Sequence, residues 1–357
     1  MILGVLKESH DRRVALVPQM VPKFQSLNCD ILLEHGAGQS AGYPDSAYVE
    51  AVETASRNEI LARAEMISCI NKPDTALLDG IPSGKFLVSS FESYLDTQII
   101  GELQKRGLHA FSMDMIPRTT LAQTMDVLSS MASIAGYKAV IKAADHLLKY
   151  FPMMITAAGS IKPARVLIIG AGVAGLQAVA TARRLGAIVE VFDTRSAVKQ
   201  EVQSLGAKFI EVEGAKEDAS AGGYAVQQSE EYLRRQRELI QEKARAAHVI
   251  ITTAQVRGKK APMIIPKETV EQMLPGSVIV DLASSTGGNC ELSTDKQIVF
   301  HHGVTIIGDS DLANTMPQDA SFLYCNNLFN FLKLVIKDGK IEPERENEII
   351  TSAWITM

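Results

Sequence analysis

The chain has 357 residues, 46% hydrophobic and 22% charged, which is more than one comfortable core and too apolar for extensive disorder. A formal net charge of −5 provides no general basic field for nucleic acid or anionic lipid. Four cysteines (Cys29, Cys69, Cys290 and Cys325) lie far apart without a CxxC pair, so reduced buried thiols are expected rather than a disulfide framework or a metal cage.

The N-terminus lacks the apolar run of a secretory signal, and no stretch approaches the ~20 apolar residues that span a bilayer. If the chain serves a membrane process, other chains or segments must do the spanning. Residues 2–6 (ILGVL) form a short buried strand, followed by a charged turn from Lys7 to Arg13 and a helical segment opening near Pro18. CDILLEHGAG is a strand running into a loop, ARAEMISCINKPD a helix end, a strand and a proline stop, and KFLVSSF and GLHAFSMDMIP two further strands. This alternation predicts a parallel α/β layer over roughly the first 120 residues.

Residues 121–150 carry a helical pattern with no internal proline; Gly136 is its weak point and Pro152 its end. Its length predicts a helix crossing from one domain to the next. PARVLIIGAGVAGLQAVATARRLGAIVEVFDTR then reads as strand, tight turn, helix, Gly186 and strand, a complete βαβ half-unit. Residues 214–231 are small and polar around Gly222–Gly223 and predict a mobile surface loop, after which EEYLRRQRELIQEKARAA is a charged helix. HVIITTA, GSVIVDLA and VTIIGDS are later strands of the same sheet. DASFLYCNNLFNFLKLVI is an amphipathic helix expected to pack back on the first domain. The fold class that follows is α/β, with two Rossmann-like domains on parallel sheets: a discontinuous first domain (1–128 plus 312–357) and a second domain (129–311).

The strongest local signal is Gly170-Ala171-Gly172-Val173-Ala174-Gly175, placed after the apolar strand RVLII and opening a helix. Gly170 permits the tight turn, Gly172 lets the backbone approach a pyrophosphate, and Gly175 lets helix and strand pack closely. The helix N-terminus offers N–H donors and a positive dipole end to phosphates. Such a turn is weak evidence alone. Here the next strand ends in Asp193, near the ~20-residue spacing at which an acidic side chain accepts from ribose hydroxyls. Asp193 favours NAD(H) over NADP(H), and Arg195 tempers that preference because arginine accommodates a 2′-phosphate.

The segment from Arg118 through Gln123 and Asp126 to Ser129 resembles the Arg–Gln–Asp loop of the NAD(H)-binding domain I of proton-translocating NAD(P) transhydrogenase. PMMITAAGSIKPARVLIIGAGVAGLQA, AGGYA at 221–225, GSVIVDLA with GGNC at 287–290, and the NNLFNFL helix extend the resemblance over nearly the whole chain. KESHDRRVALVP resembles the start shared by alanine dehydrogenase and transhydrogenase. The resemblance implies NAD(H) in a cleft between two Rossmann-like domains. It places Arg118, Thr119, Thr120, Gln123, Asp126 and Ser129 around the nicotinamide end, with Arg118, Gln123 and Asp126 in the catalytic role. It puts Gly170, Gly172, Val173, Ala174 and Gly175 at the pyrophosphate and Asp193, Thr194 and Arg195 at the adenosine ribose. Gly223, Gln236, Ala254 and Gln255 would line the remaining adenosine side. It further implies NADP(H) on a partner domain, a separate membrane-spanning component that translocates protons, a homodimer, and a peripheral position on the cytoplasmic or matrix face of the membrane complex.

The rival within the same resemblance is alanine dehydrogenase. Oxidising an amine carbon releases a proton, and that needs a titratable group at the substrate. The rival's lysine, histidine and aspartate positions align with Asn71, Asp96 and Ser285, although a one-residue shift would restore Lys72. Arg13, its carboxylate-binding arginine, is retained and is expected to serve as a structural ion-pair residue. Hydride transfer between two nicotinamide rings moves no proton at the reacting carbons, so alignment and exclusion of water suffice. A third reading is a non-catalytic NADH-binding sensor. Arg118 and Asp126 are expected to pair across a turn. Tyr137, eleven residues past Asp126, is expected in the core, with a nucleotide contact left open. His301–His302 precede a glycine turn with no further ligand at metal-binding spacing, so no metal is expected.

Overall fold

The computed structural model describes residues 1–48, 52–212 and 229–357. Two compact units divide it: Met1–Met131 with Ala313–Met357, and Ala132–Leu312.

The first unit holds strands β1 (Ile2–Val5), β2 (Asp30–Glu34), β3 (Glu53–Ala55), β4 (Met66–Asn71), β5 (Phe86–Ser90) and β6 (His109–Ser112). They form one six-stranded sheet in the order β3-β2-β1-β4-β5-β6, parallel throughout. Side chains alternate between two buried layers: Ile31 and Leu33 enter one core while Leu32 enters the other. The helix Arg57–Arg63 begins on a reciprocal capping box between Ser56 and Glu59. The expected helix near Pro18 is short, a 3-10 turn Pro18–Met20 leading into Val21–Gln25. The chain leaves β6 early because the Asp114 carboxylate accepts from Ser112 Oγ, Phe91 N and Glu92 N, which bends Met113–Met115 into a 3-10 turn. The helix Pro317–Val335 buries Tyr324, Leu328, Phe331 and Leu332 in this unit's core, and its Ser321 Oγ accepts from Val14 N at 2.9 Å.

The second unit opens with an antiparallel hairpin, β7 (Met154–Thr156) and β8 (Gly159–Ile161). Strands β9 (Arg165–Ile169), β10 (Ile188–Phe192), β11 (Lys208–Phe209), β12 (Val249–Thr252), β13 (Val278–Asp281), β14 (Gln297–His301) and β15 (Val304–Gly308) follow. Their order is β11-β10-β9-β12-β13-β15-β14, parallel except for β14 against β15. Neither β14 nor the β7–β8 hairpin was expected from the sequence. β14 runs backwards because the two-residue turn His302–Gly303, with φ +47° and +75°, allows only an antiparallel return. Both sheets reverse strand order beside their first strand, at β1/β4 and at β9/β12, where doubly wound folds place their ligand crevice.

The helical pattern of 121–150 is broken rather than continuous. A 3-10 helix Thr120–Met125 ends at Asp126, and the α-helix is Val127–His146. Gly136 is a point of close approach within it: a Cβ there would stand 2.1 Å from the Ala174 carbonyl oxygen. Tyr137 is 38% exposed, against the expectation of core packing. All four cysteines are free and buried, and burial pushes the Cys290 and Cys325 thiols up to about 12. Among the described residues no helix is long and apolar enough to cross a membrane. The stretch around Gly222–Gly223 lies outside the described residues.

Two helical glycines, Gly136 and Gly101 (in the helix Gln98–Lys105), should respond oppositely to substitution. Gly136→Ala forces backbone apart and should destabilise by about 1–3 kcal/mol. Gly101→Ala, with nothing within 4 Å of the added carbon, should stabilise by about 0.5–1 kcal/mol. Urea unfolding of both variants measures the contrast, and equal effects would remove the close-contact argument.

Candidate functional site

In the second unit the apolar strand β9 delivers the chain to Gly170, whose φ of +101° turns it sharply. A Cβ on Gly170 would lie 2.4 Å from Thr253 Oγ1, and one on Gly175 would lie 1.8 Å from the Gly170 carbonyl oxygen. Nothing stands within 4 Å of the corresponding position on Gly172, which is exposed and caps the helix Val173–Arg184. Two of the three glycines are therefore required by packing, and the third faces open space. Val173 is 43% exposed beside it, and Ala174 is half-buried. The first-turn N–H groups of this helix have no acceptor within the helix, which suits them to an anionic group.

Asp193, just past β10, lies against this turn. Its Oδ2 accepts from Ala171 N at 2.7 Å, and its Oδ1 accepts from Arg195 N at 2.8 Å. The Arg195 guanidinium adds Nε to Oδ1 at 3.0 Å and a terminal nitrogen to Oδ2 at 2.9 Å. Burial pushes the Asp193 carboxyl up, but the bonds from Arg195 and Ala171 outweigh it and hold the pKa below the usual carboxylate range. Thr194 between them is exposed.

The third wall is the segment after β12. Thr253 Oγ1 donates to the carbonyls of Ile169 and Gly170 at 3.3 and 3.2 Å. Ala254 is held on both backbone groups by one side chain: its N–H donates to Asn289 Oδ1 at 3.0 Å and its carbonyl accepts from Asn289 Nδ2 at 2.9 Å. Asn289 Nδ2 also donates to the Pro262 carbonyl. The fully buried Asp281 fixes Asn289 in turn, accepting from Asn289 N, Cys290 N, Ala283 N and Thr252 Oγ1. Gln255 donates through Nε2 to the Leu282 carbonyl at 2.9 Å. Asn289 is a positioning residue that was not expected from the sequence. The signal available was the GGNC stretch after a strand ending in Asp, but the partner at Ala254 is 35 residues away. Thus the glycine turn, Asp193–Arg195 and Thr253–Gln255 converge at the C-terminal ends of β9, β10 and β12. Gln236 is half-buried on the helix Glu230–Ala246, next to Tyr232. Gly223 lies outside the described residues.

In the first unit the loop after β6 presents Arg118, Thr119, Thr120 and Gln123 to solvent, while Ala122 and Met125 anchor it in the core. Asn327 and Asn330 of the helix Pro317–Val335 donate to the Thr124 carbonyl at 2.8 and 3.3 Å. Asp126 does not pair with Arg118. Its carboxylate instead accepts from Ser129 N at 2.9 Å and Ser129 Oγ at 2.6 Å, which caps the helix Val127–His146. Among the described residues, the Arg118 guanidinium and the Gln123 amide have no side-chain partner, so both keep their donors for a ligand.

The loops after β1 and β4 are wired differently. Arg13, 7% exposed, is gripped by Asp11 through Nε, at 2.9 and 3.0 Å, and through a terminal nitrogen. Burial pushes Asp11 up, yet Arg13 and Asn71 outweigh it and hold the carboxyl low. Asn71 Nδ2 donates to Glu8 and to Asp11, each at 2.9 Å, and burial pushes Glu8 up. Lys72 points instead to Asp96, at 2.6 Å. Ser285, in the second unit, is exposed.

Residues 4–135 match the family described as alanine dehydrogenase/PNT, N-terminal domain, and residues 139–357 match its C-terminal domain. The chain is 42% identical to NAD(P) transhydrogenase subunit alpha of Haemophilus influenzae, over 99% of this chain and 70% of the relative. It is 41% identical to the first of the separate alpha-subunit chains of NAD(P) transhydrogenase from Rhodospirillum rubrum, over 96% of this chain and 92% of the relative. The solved transhydrogenase structure from Sinorhizobium meliloti superposes with a TM-score of 0.90 at 37% identity, covering 99% of this chain and 98% of that one.

The Asn289 strut predicts that Asn289→Ala leaves both backbone groups of Ala254 without their partner. Stability should fall by about 1–3 kcal/mol, and hydrogen exchange at the Ala254 amide should accelerate more than at β12. Uniform acceleration across the sheet would mean that Asn289 supports the fold without specifically holding this segment.

Proposed function

The chain belongs to the alanine dehydrogenase/PNT family and, within it, to the alpha subunits of NAD(P) transhydrogenase, and on that premise we propose that it binds NAD(H) and exchanges hydride with NADP(H) held on a partner domain. The observation that carries the reading is the open face at Gly172, flanked by Asp193, at the strand-order switch of the second sheet. In this reading the helix N-terminus takes the pyrophosphate and the Asp193 carboxylate accepts from the adenosine ribose. Thr194, Arg195, Gln236, Ala254 and Gln255 line the adenosine side.

The reaction is NADH plus NADP⁺ giving NAD⁺ plus NADPH, a hydride leaving C4 of one ring for C4 of the other. No proton is exchanged at either carbon, so this chain's residues need only orient and shield. Arg118 and Gln123, exposed and without side-chain partners among the described residues, supply donors and an acceptor at the ring end. Asp126 and Ser129, bonded to each other, hold the start of the helix behind them. Proton translocation belongs to a separate membrane-spanning component, and the chain sits peripherally on the cytoplasmic or matrix face. A homodimer is part of the proposal, supported by Met153, just before the β7–β8 hairpin, and Ile155 within it, which are 59% and 76% exposed.

The wiring of the first unit argues against amino-acid oxidation. A substrate carboxylate would have to take Arg13 from Asp11, and no lysine stands at Asn71 to handle the amine proton. The deciding assay mixes the chain with the NADP(H)-binding partner domain and follows hydride transfer from NADH to an NADP analogue, with alanine plus NAD⁺ as control. Transfer without alanine turnover is expected. Alanine turnover would favour the dehydrogenase, and tight NADH binding with no transfer would favour a sensor subunit. Gln123→Asn should slow transfer about tenfold or more, a loss of roughly 1.4 kcal/mol, with NADH affinity nearly unchanged; equal losses in both would remove its assigned role.

Asp193→Ala should weaken NADH binding by about 10- to 100-fold and narrow the preference over NADPH, because it deletes the ribose acceptor and frees Arg195. A titration showing unchanged preference would count against the ribose contact.

A further inference from the structure

The β14–β15 turn sets two consecutive imidazoles on one side of the hairpin. His301 ends β14, His302 takes the left-handed conformation at φ +47°, and their ring centroids lie 4.8 Å apart. Glu271, immediately after the helix Lys267–Val270, brings a carboxylate to the same point. Its Oε1 stands 3.0 Å from His301 Nε2 and 3.8 Å from His302 Nε2, and the three ligand atoms all lie within 4.8 Å of one another. Sequence spacing hid the third ligand: Glu271 precedes His301 by 30 residues and reaches it through the fold.

We propose that Glu271, His301 and His302 form a binding site for a divalent transition-metal ion of the zinc class. Two imidazoles and one carboxylate suit Zn²⁺, Co²⁺, Ni²⁺ or Cu²⁺ and disfavour Mg²⁺ and Ca²⁺, which require oxygen shells. Zinc at about 2.0–2.1 Å from each donor needs tetrahedral ligand separations of roughly 3.3 Å, and the two separations measured to Glu271 bracket that value. The side chains are partly open (26%, 32% and 59% for His301, Glu271 and His302), which leaves an entry path and room for a water as fourth ligand. Lys267 Nζ, 3.7 Å from Glu271 Oε1, is a long, half-exposed chain that moves off at little cost when an ion arrives. An ion here would tie the hairpin turn to the end of the preceding helix. The site is separate from the glycine turn and does not depend on the hydride-transfer reading.

The test uses the full chain and Co²⁺, whose visible absorption reports tetrahedral nitrogen and oxygen ligation, with Zn²⁺ as competitor. Saturable absorbance, displaced by Zn²⁺, is expected for the unaltered protein. His302→Ala and Glu271→Gln should each weaken binding at least tenfold. His302 is largely exposed, so its loss should spare the fold, which a melting curve without metal checks. His35→Ala, on the first unit, should bind as the unaltered protein does. Zn²⁺ should raise the melting temperature of the unaltered protein and of the His35 variant but not of the His302 variant. Absence of saturable Co²⁺ binding below about 1 mM, or equal binding by the His302 variant, would overturn the site.

Discussion

The helix Val173–Arg184 meets the end of β9 at backbone distance. Gly175 has no room for a side chain because the Gly170 carbonyl occupies the space, and Gly170 has none because Thr253 does. These two exclusions set the helix N-terminus directly over the switch in strand order. Everything else in that region is arranged around the result. Asp193 clips Ala171, Thr253 donates back to the turn, and Gly136 brings another helix to within contact of Ala174. Gly172 then stands out because it is not constrained by a neighbour at all. A glycine that packing does not require, placed at a helix N-terminus, is best explained by something approaching from outside.

The parts of this arrangement legible in the sequence are those whose causes are local. The glycine turn, the apolar strands on either side of it and the Asp193 spacing all fall within a few tens of residues, and their periodicity and turn chemistry are written in order along the chain. β14 was not legible because its direction depends on a two-residue turn with two left-handed residues, one of them histidine. The break at Asp126 was hidden because the helical pattern continues across it, and only the carboxylate's preference for the Ser129 amide separates the two segments. Asn289 and Glu271 were hidden for one shared reason. Their partners lie 35 and 30 residues away and become neighbours only when the second unit's sheet assembles.

The first unit shows the same separation between residues committed to the fold and residues left available. Arg13 keeps a cation where an amino-acid dehydrogenase would bind a carboxylate, yet Asp11 already occupies it, and Asn71 links Asp11 to the half-buried Glu8. Breaking into that network would leave Asp11 buried without its counter-charge, which costs more than an exposed ion pair returns. Lys72 and Asp96, paired at the surface, have little to lose by separating, but they do not supply a buried base.

Arg118 and Gln123 are the counter-case. Their loop is anchored by what lies beneath it: Ala122 and Met125 in the core, and Thr124 held by two asparagines from the C-terminal helix. Their own side chains are committed to nothing among the described residues. A reaction that moves a proton would need a group able to take or give one in this position, and neither a guanidinium nor an amide changes its protonation state across the physiological range. They suit the proposed reaction, whose demand is alignment. That is why the chemistry proposed for this chain follows from which polar groups the fold has left free, more than from any single residue type within the loop.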